Sequence, residues 1–216
     1  MYFIVLILFF FVPSLICNEI VVNIEDGPVK GKIVEFNNKK LDVFRGIRYG
    51  KPPVGDLRFK RPEKVDKWTD VYDATTDKNA CWQVQSLSFN EFNMSEDCLF
   101  LNVWAPHDLS GNKPVMYWIY GGALQIGSIF NAFNDALVLA TFDVVVVAVN
   151  YRVGPMGFLY DGTEEAPGNV GLYDQLLGLK WVKIRHPFLL CLILQLISQI
   201  LRSKKMLKLL VVTQMT

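Results

Sequence analysis

The residues in this chain with the clearest chemical potential offer their backbone rather than their side chains. Gly121, Gly122 and Ala123 follow an apolar run at 115–120. Small residues at a strand exit let the chain turn so that its N–H groups point at an oxygen that becomes negative when a carbonyl is attacked. Taken alone, the same three residues also read as an ordinary strand-exit glycine turn. The side chains offer less. His107 and His186 are the only histidines of the sequence; His107 lies in a polar segment beside Asp108, and His186 precedes Pro187. Neither has a Ser or Cys partner that would form a nucleophile and base, so both are expected to face solvent, and no triad member is assigned.

Residues 1–17, MYFIVLILFFFVPSLIC, hold an unbroken apolar stretch at 2–12, then Pro13 and Ser14, and the first carboxylate is Glu19. This is the outline of a signal peptide, with Ser14 or Cys17 as its end, although a basic n-region is missing. A stretch of that length, rising about 1.5 Å per residue, cannot cross a hydrocarbon core of ~30 Å. The protein is therefore expected to be secreted into an oxidising compartment. Of the four cysteines, Cys17 would leave with the signal and Cys191 lies in an anomalous tail. Cys81 and Cys98 remain as the pair expected to form one disulfide, the alternative being two buried thiols. Asn93-Met94-Ser95 is an N-glycosylation sequon inside the loop that this disulfide would close.

Positioning any of these groups requires a core, and the composition supplies one. In 216 residues, 51% are hydrophobic and 20% charged, which belongs to a globular domain. The net charge is +1, with Lys and Arg scattered among nearly as many Asp and Glu. No basic face is visible, and no nucleic-acid partner is expected. Periodicity predicts strands at 21–24, 30–36 and 41–49, an antiparallel ribbon in outline, then a Pro- and Gly-rich surface loop at 51–62. Segments 99–104, 115–120 and 144–150 are apolar without alternation, as strands covered on both faces must be. Asn169 is expected to cap a helix whose apolar positions Tyr173, Leu176, Leu177 and Trp181 recur at helical spacing, with Asp174 and Gln175 facing elsewhere.

Five stretches carry a family resemblance: residues 45–55 (RGIRYGKPPVG), 95–103 (SEDCLFLNV), 118–123 (WIYGGA), 150–159 (NYRVGPMGFL) and 166–175 (APGNVGLYDQ). They occur in the order found in type-B carboxylesterases and cholinesterases, and the chain resembles that family of α/β-hydrolases. The resemblance implies an α/β fold with a mostly parallel central sheet, helices on both faces and an N-terminal antiparallel ribbon, here truncated after the first half of the sheet. It implies hydrolysis of small-molecule carboxylic esters through an acylated serine, with no cofactor and no metal. Gly121, Gly122 and Ala123 would form the oxyanion hole, with Gly122 and Ala123 as donors. Cys81 and Cys98 match the family's first disulfide, whose loop lines the mouth of the active-site gorge. Arg45 with Glu96, and Arg152 with Asp174, resemble structural ion pairs. Ser88 stands where cholinesterases place a Trp that binds quaternary ammonium by cation–π attraction; Phe89, Phe92 and Trp82 are near it but do not match. General carboxylic esters are favoured over acetylcholine on that ground.

The same resemblance makes one gap conspicuous. An esterase of this class needs a Ser on a G-x-S-x-G elbow, then an acid, then a His. No G-x-S-x-G occurs in the sequence. The organisation expected is a signal peptide at 1–17, the N-terminal part of the family domain at 18–183, and a tail at 184–216 of out-of-frame or intron-derived origin. That tail is rich in Leu and Ile, but Gln195, Ser198 and Gln199 interrupt it, and no membrane association is expected. As written the chain is expected to be inactive, poorly soluble and partly unfolded, because the strand at 115–120 would expose an apolar edge. A non-catalytic adhesion or binding protein of the same fold is the rival reading.

Overall fold

The computed structural model describes residues 18–84, 93–110 and 113–185, the side chains of 184 and 185 excepted. The expected signal peptide at 1–17, Ser88, Phe89, Phe92, His186 and the rest of the tail lie outside the described residues.

Three strands open the chain: β1 (Glu19–Ile24), β2 (Gly27–Phe36) and β3 (Lys39–Arg48), paired antiparallel in sequence order. Asn37 and Asn38 make the turn between β2 and β3 with φ of 50° and 60°, a left-handed conformation that Asn tolerates better than most residues. Short strands β4 (Tyr72–Asp73), β5 (Ala80–Cys81) and β6 (Met94–Ser95) follow. The sheet is completed by β7 (Phe100–Pro106), β8 (Val115–Ile119) and β9 (Val145–Val149). Its order is β1-β2-β3-β7-β9-β8, with β4 beside β2.

Parallel pairing is confined to β8 with β9 and to the two-residue contacts of β4 with β2 in this sheet. The other ladders are antiparallel, so the described sheet is mixed rather than mostly parallel. The reason lies in the connections. The crossover from β8 to β9 passes over a face of the sheet through α1 (Leu137–Ala140) and returns in the same direction, as parallel neighbours require. The turns of the ribbon are too short for that.

All five residues of β9, VVVAV, are buried. The alternating side chains enter two different cores. Val145, Val147 and Val149 join Phe44, Ile47, Leu101 and the disulfide under Trp181 and Val182 of α3 (Val170–Arg185), the last helix among the described residues; a short α2 (Gly154–Phe158) precedes it. Val146 and Ala148 face Trp104, Ile129, Ala136 and Ala140. Each fully buried Val contributes about 1.5–3 kcal/mol, which explains why the least polar run of the described chain takes a position covered on both faces, between β7 and β8.

Polar groups are buried where they complete the sheet. β3 bulges between Phe44 and Ile47, and Gly46, at φ 77°, is left without a ladder partner. Its N–H donates to Oδ1 of the fully buried Asn102 at 2.8 Å, and its carbonyl accepts from the Tyr72 hydroxyl at 2.9 Å. Cys81 and Cys98 form a disulfide and are both completely buried. Closing a loop of this length contributes about 3 kcal/mol by restricting the unfolded chain.

Candidate functional site

Ligands of open α/β sheets bind beyond the carboxyl ends of parallel strands, here those of β8 and β9. Tyr120 follows β8, Tyr151 follows β9, and both are buried. Their rings stack with centroids 4.6 Å apart. Tyr120 donates its hydroxyl to the Tyr151 carbonyl at 3.0 Å, and Tyr151 donates to the Tyr120 carbonyl at 3.1 Å. This reciprocal pair fixes the two strand ends against each other.

The turn that leaves Tyr120 is conformationally costly. Gly122 has φ 130°, and a Cβ there would overlap the Ile126 carbonyl oxygen. Ala123 and Leu124 follow in the left-handed region at φ 55° and 62°, at a cost of about 1–2 kcal/mol each. Ala123 therefore carries strain that Gly would not. The carbonyls of the turn are engaged: Gly122 accepts from Gln125 N at 3.0 Å and Ile126 N at 3.2 Å, and Leu124 accepts from Gly154 N at 2.7 Å. The N–H groups of Gly122 and Ala123 donate to no acceptor among the described residues, and both residues are exposed. Chemically this is a rigid exposed turn with open hydrogen-bond donors.

Several supports were not legible beforehand. Asn150 is fully buried; its Oδ1 accepts from Ile129 N at 3.0 Å and its Nδ2 donates to the Asn79 carbonyl at 3.2 Å. Gln83 is buried and hydrogen-bonds both backbone groups of Gly127. A polar residue closing the run VVVVAV was the available signal for Asn150. Gln83 had none.

Arg152 and Asp174 are brought together in full burial. Arg152 Nε and Nη2 donate to the two carboxylate oxygens at 2.9 and 2.8 Å, and the Arg152 backbone N–H donates to Oδ2 at 3.0 Å. Burial pushes the Asp174 carboxyl above its ordinary value, against the opposing hydrogen bonds and charge of Arg152. The expectation that Asp174 faces away from the apolar side of its helix needs correcting. It is 0% exposed, while Tyr173, Leu176 and Leu177 are half-buried. The counter-ion requirement of the buried guanidinium overrides the helical pattern.

Arg45 and Glu96 do not pair. Arg45 meets Asp77 at 3.0 Å and also Asp135, and it lies over the Trp104 ring; Glu96 accepts from Arg58 Nε at 2.6 Å. The cation that ties the ribbon to the end of the disulfide loop is Arg48, bidentate to Asp97 at 2.6 and 2.8 Å. Three residues further along β3, past the bulge, the side chain projects toward that segment and Arg45 does not.

His107 is exposed and its Nδ1 lies 2.6 Å from Oδ1 of the buried Asp42. It follows β7, which is antiparallel to β9, so it stands at the opposite end of the sheet from Gly122. No proton can pass directly between them. Asn93 is exposed, with its carbonyl accepting from Ala80 N at 2.8 Å. A cleft of about 310 Å³ runs beside Val34, Val43, Arg45 and Asp77 on the ribbon, away from the turn. Among the described residues no group of three or more His, Cys, Asp or Glu could hold a metal ion, and no helix is long and apolar enough to cross a membrane.

Burial also controls the response to alkali. Tyr49, Tyr117 and Tyr120 are held well above the usual phenol value of 10.0 by desolvation, and Tyr151 is raised to about 12 by the same cause. The folded state thus keeps protons that the unfolded state releases. Stability is fully present below pH 10 and falls as pH rises through the folded values. Urea midpoints are expected to decline steeply between pH 10 and 12; a flat profile there would show that these phenols ionise freely in the folded protein.

The mixed α/β sheet is consistent with a member of the α/β-hydrolases. Residues 18–185 match the model of the carboxylesterase family, and the chain belongs to that family. It is 41% identical over 177 residues to a cholinesterase of Mus musculus, covering 76% of this chain and 29% of that one. It is 39% identical over 192 residues to acetylcholinesterase 1 of Caenorhabditis elegans, covering 82% and 31%. It is 39% identical over 183 residues to an acetylcholinesterase of Bungarus fasciatus, covering 79% and 30%. The chain spans less than a third of the length of these relatives.

Proposed function

We propose that residues 18–183 are the N-terminal part of a secreted serine carboxylic-ester hydrolase and supply its oxyanion hole. The observation that carries this reading is the turn at Gly122 and Ala123, strained, exposed and with open N–H donors beside the ends of two parallel strands. An ester carbonyl placed there would gain charge on its oxygen as a hydroxyl attacked it, and the two amides would stabilise that charge. The attacking Ser, its His and its acid belong to a product that continues past α3 into a G-x-S-x-G elbow. The sequence of 216 residues holds no such elbow, and the reading assigns no turnover to it. Small carboxylic esters are the substrates proposed, without cofactor or metal, and Asn93 is the proposed glycan site of an extracellular protein. Ser88 in the position of the cholinesterase Trp favours general esters over acetylcholine, whereas the relatives named above bear cholinesterase names.

The experiment is to sequence transcript and genomic DNA across the codons for residues 179–187, then treat each expressed product with a fluorophosphonate probe. The expected result is an elbow-bearing product that is labelled and the 216-residue chain that is not. A continuation whose elbow Ser is replaced would transfer the protein to the non-catalytic binding class.

A further inference from the structure

Gly127 closes the turn that Tyr120 opens, and it is held from two sides. A Cβ on Gly127, at φ 130°, would overlap the Tyr120 ring, so the backbone lies directly against that ring. On its other contact stands the Gln83 amide. Gln83 Nε2 donates to the Gly127 carbonyl at 2.8 Å, and the Gly127 N–H donates to Gln83 Oε1 at 2.7 Å. The second proton of Nε2 goes to the Cys81 carbonyl at 3.0 Å. Gln83 is 4% exposed.

A primary amide that engages both the N–H and the C=O of one residue acts as a strand neighbour would. It fixes the position of that residue and the orientation of both peptide planes beside it. Cys81, two residues before Gln83, is anchored by the buried disulfide and by pairing with β6. The clamp therefore has a rigid base, and the force it transmits ends at residue 127. Residues 121–127 become a closed loop whose two ends meet at Tyr120, and the donors at 122 and 123 lie inside that loop.

We propose that Gln83 is a positioning residue of the donor turn, setting the geometry of the Gly122 and Ala123 amides through Gly127. This inference rests on the reading of those amides as an oxyanion hole. Leu could fill the same space but would leave both Gly127 groups unpaired, and Asn is one methylene too short to reach them from the same backbone position. Glu keeps the length and changes only the donor. Its ionised carboxylate still accepts from the Gly127 N–H but faces the Gly127 and Cys81 carbonyls with a negative charge. Its protonated form donates again.

The test is hydrogen exchange of the full chain as wild type, Gln83→Ala and Gln83→Glu, with protection factors followed from pH 4 to 8. In Gln83→Ala the hydrogen-bonded amides of 125–127 are expected to lose protection at least tenfold while β7 and β9 are unchanged. In Gln83→Glu the same amides are expected to be protected at the acid end and released as the carboxyl ionises, a step that wild type lacks. Unchanged exchange at 125–127 in both variants would overturn the proposal. So would a uniform loss across β7 and β9, which marks a merely structural residue. In an elbow-bearing product, Gln83→Ala is further expected to lower kcat about tenfold with KM unchanged. Exchange behaving as stated with kcat unmoved would leave the clamp standing and remove the oxyanion reading instead.

Discussion

Replacing Asp174 by Ala is expected to lower the unfolding free energy by about 3–5 kcal/mol, because it leaves a guanidinium in the interior without its counter-charge. The Arg152 side chain is 3% exposed and that of Asp174 is 0% exposed. Water cannot take over the role of the lost carboxylate without opening the fold. The variant also removes the acceptor of the Arg152 backbone N–H, a buried donor worth about 1–3 kcal/mol when orphaned. Consequences reach the donor turn. Arg152 sits two residues before Gly154, whose N–H holds the Leu124 carbonyl, so freeing 150–154 from α3 frees the turn as well. The contrast is Arg58→Ala, which breaks a pair whose cation is 46% exposed and is expected to cost about 0–1 kcal/mol. Urea unfolding of the two variants checks both figures. If Asp174→Ala falls within 1 kcal/mol of wild type, about the value of a surface pair, the two charges are not coupled as their geometry requires. The double variant Arg152→Met with Asp174→Leu is expected to recover part of the loss, since two apolar groups need no partner.

Gly122→Ala is the second large effect, and a neighbouring glycine supplies its control. At φ 130° an L side chain adds about 1–3 kcal/mol of backbone strain, and the new methyl would also overlap the Ile126 carbonyl oxygen. Relief requires moving Gly122, which breaks its bonds from Gln125 and Ile126 and displaces the Ala123 amide. At Gly121 an added Cβ meets nothing within 4 Å, so Gly121→Ala is expected to be tolerated. In an elbow-bearing product, Gly122→Ala should lower fluorophosphonate labelling on the order of 100-fold, the scale of losing one oxyanion donor, and of the two variants Gly122→Ala alone should lower the urea midpoint. Equal effects at the two positions would mean that the turn has no special geometry to lose.

Local information went far in this chain. Strands at the ribbon and the three apolar runs are visible because burial on one or both faces writes itself into the residue pattern. The donor turn is visible through its glycines, of which Gly122 has no room for a Cβ. The disulfide pair is expected from the compartment that residues 1–17 imply and from the position of the other two cysteines. Asp174 shows where this kind of reading stops. Periodicity expects its carboxylate to face elsewhere than the apolar positions, and in the fold it is buried against Arg152.

What the sequence by itself determined is the set of groups available and the segments that must be buried, since propensity, volume and charge belong to each residue alone. What the tertiary structure decided is which groups meet. Arg45 found Asp77 and Asp135 instead of Glu96, and Gln83 found Gly127 across 44 residues. Neither outcome has a local cause. Long flexible side chains choose partners by proximity after the sheet is assembled, and that proximity is set by strand order, the β3 bulge and the crossover from β8 to β9. Backbone conformation is a property of a few adjacent residues and can be read along the chain; pairing is a property of distances between segments and exists only once the chain has folded.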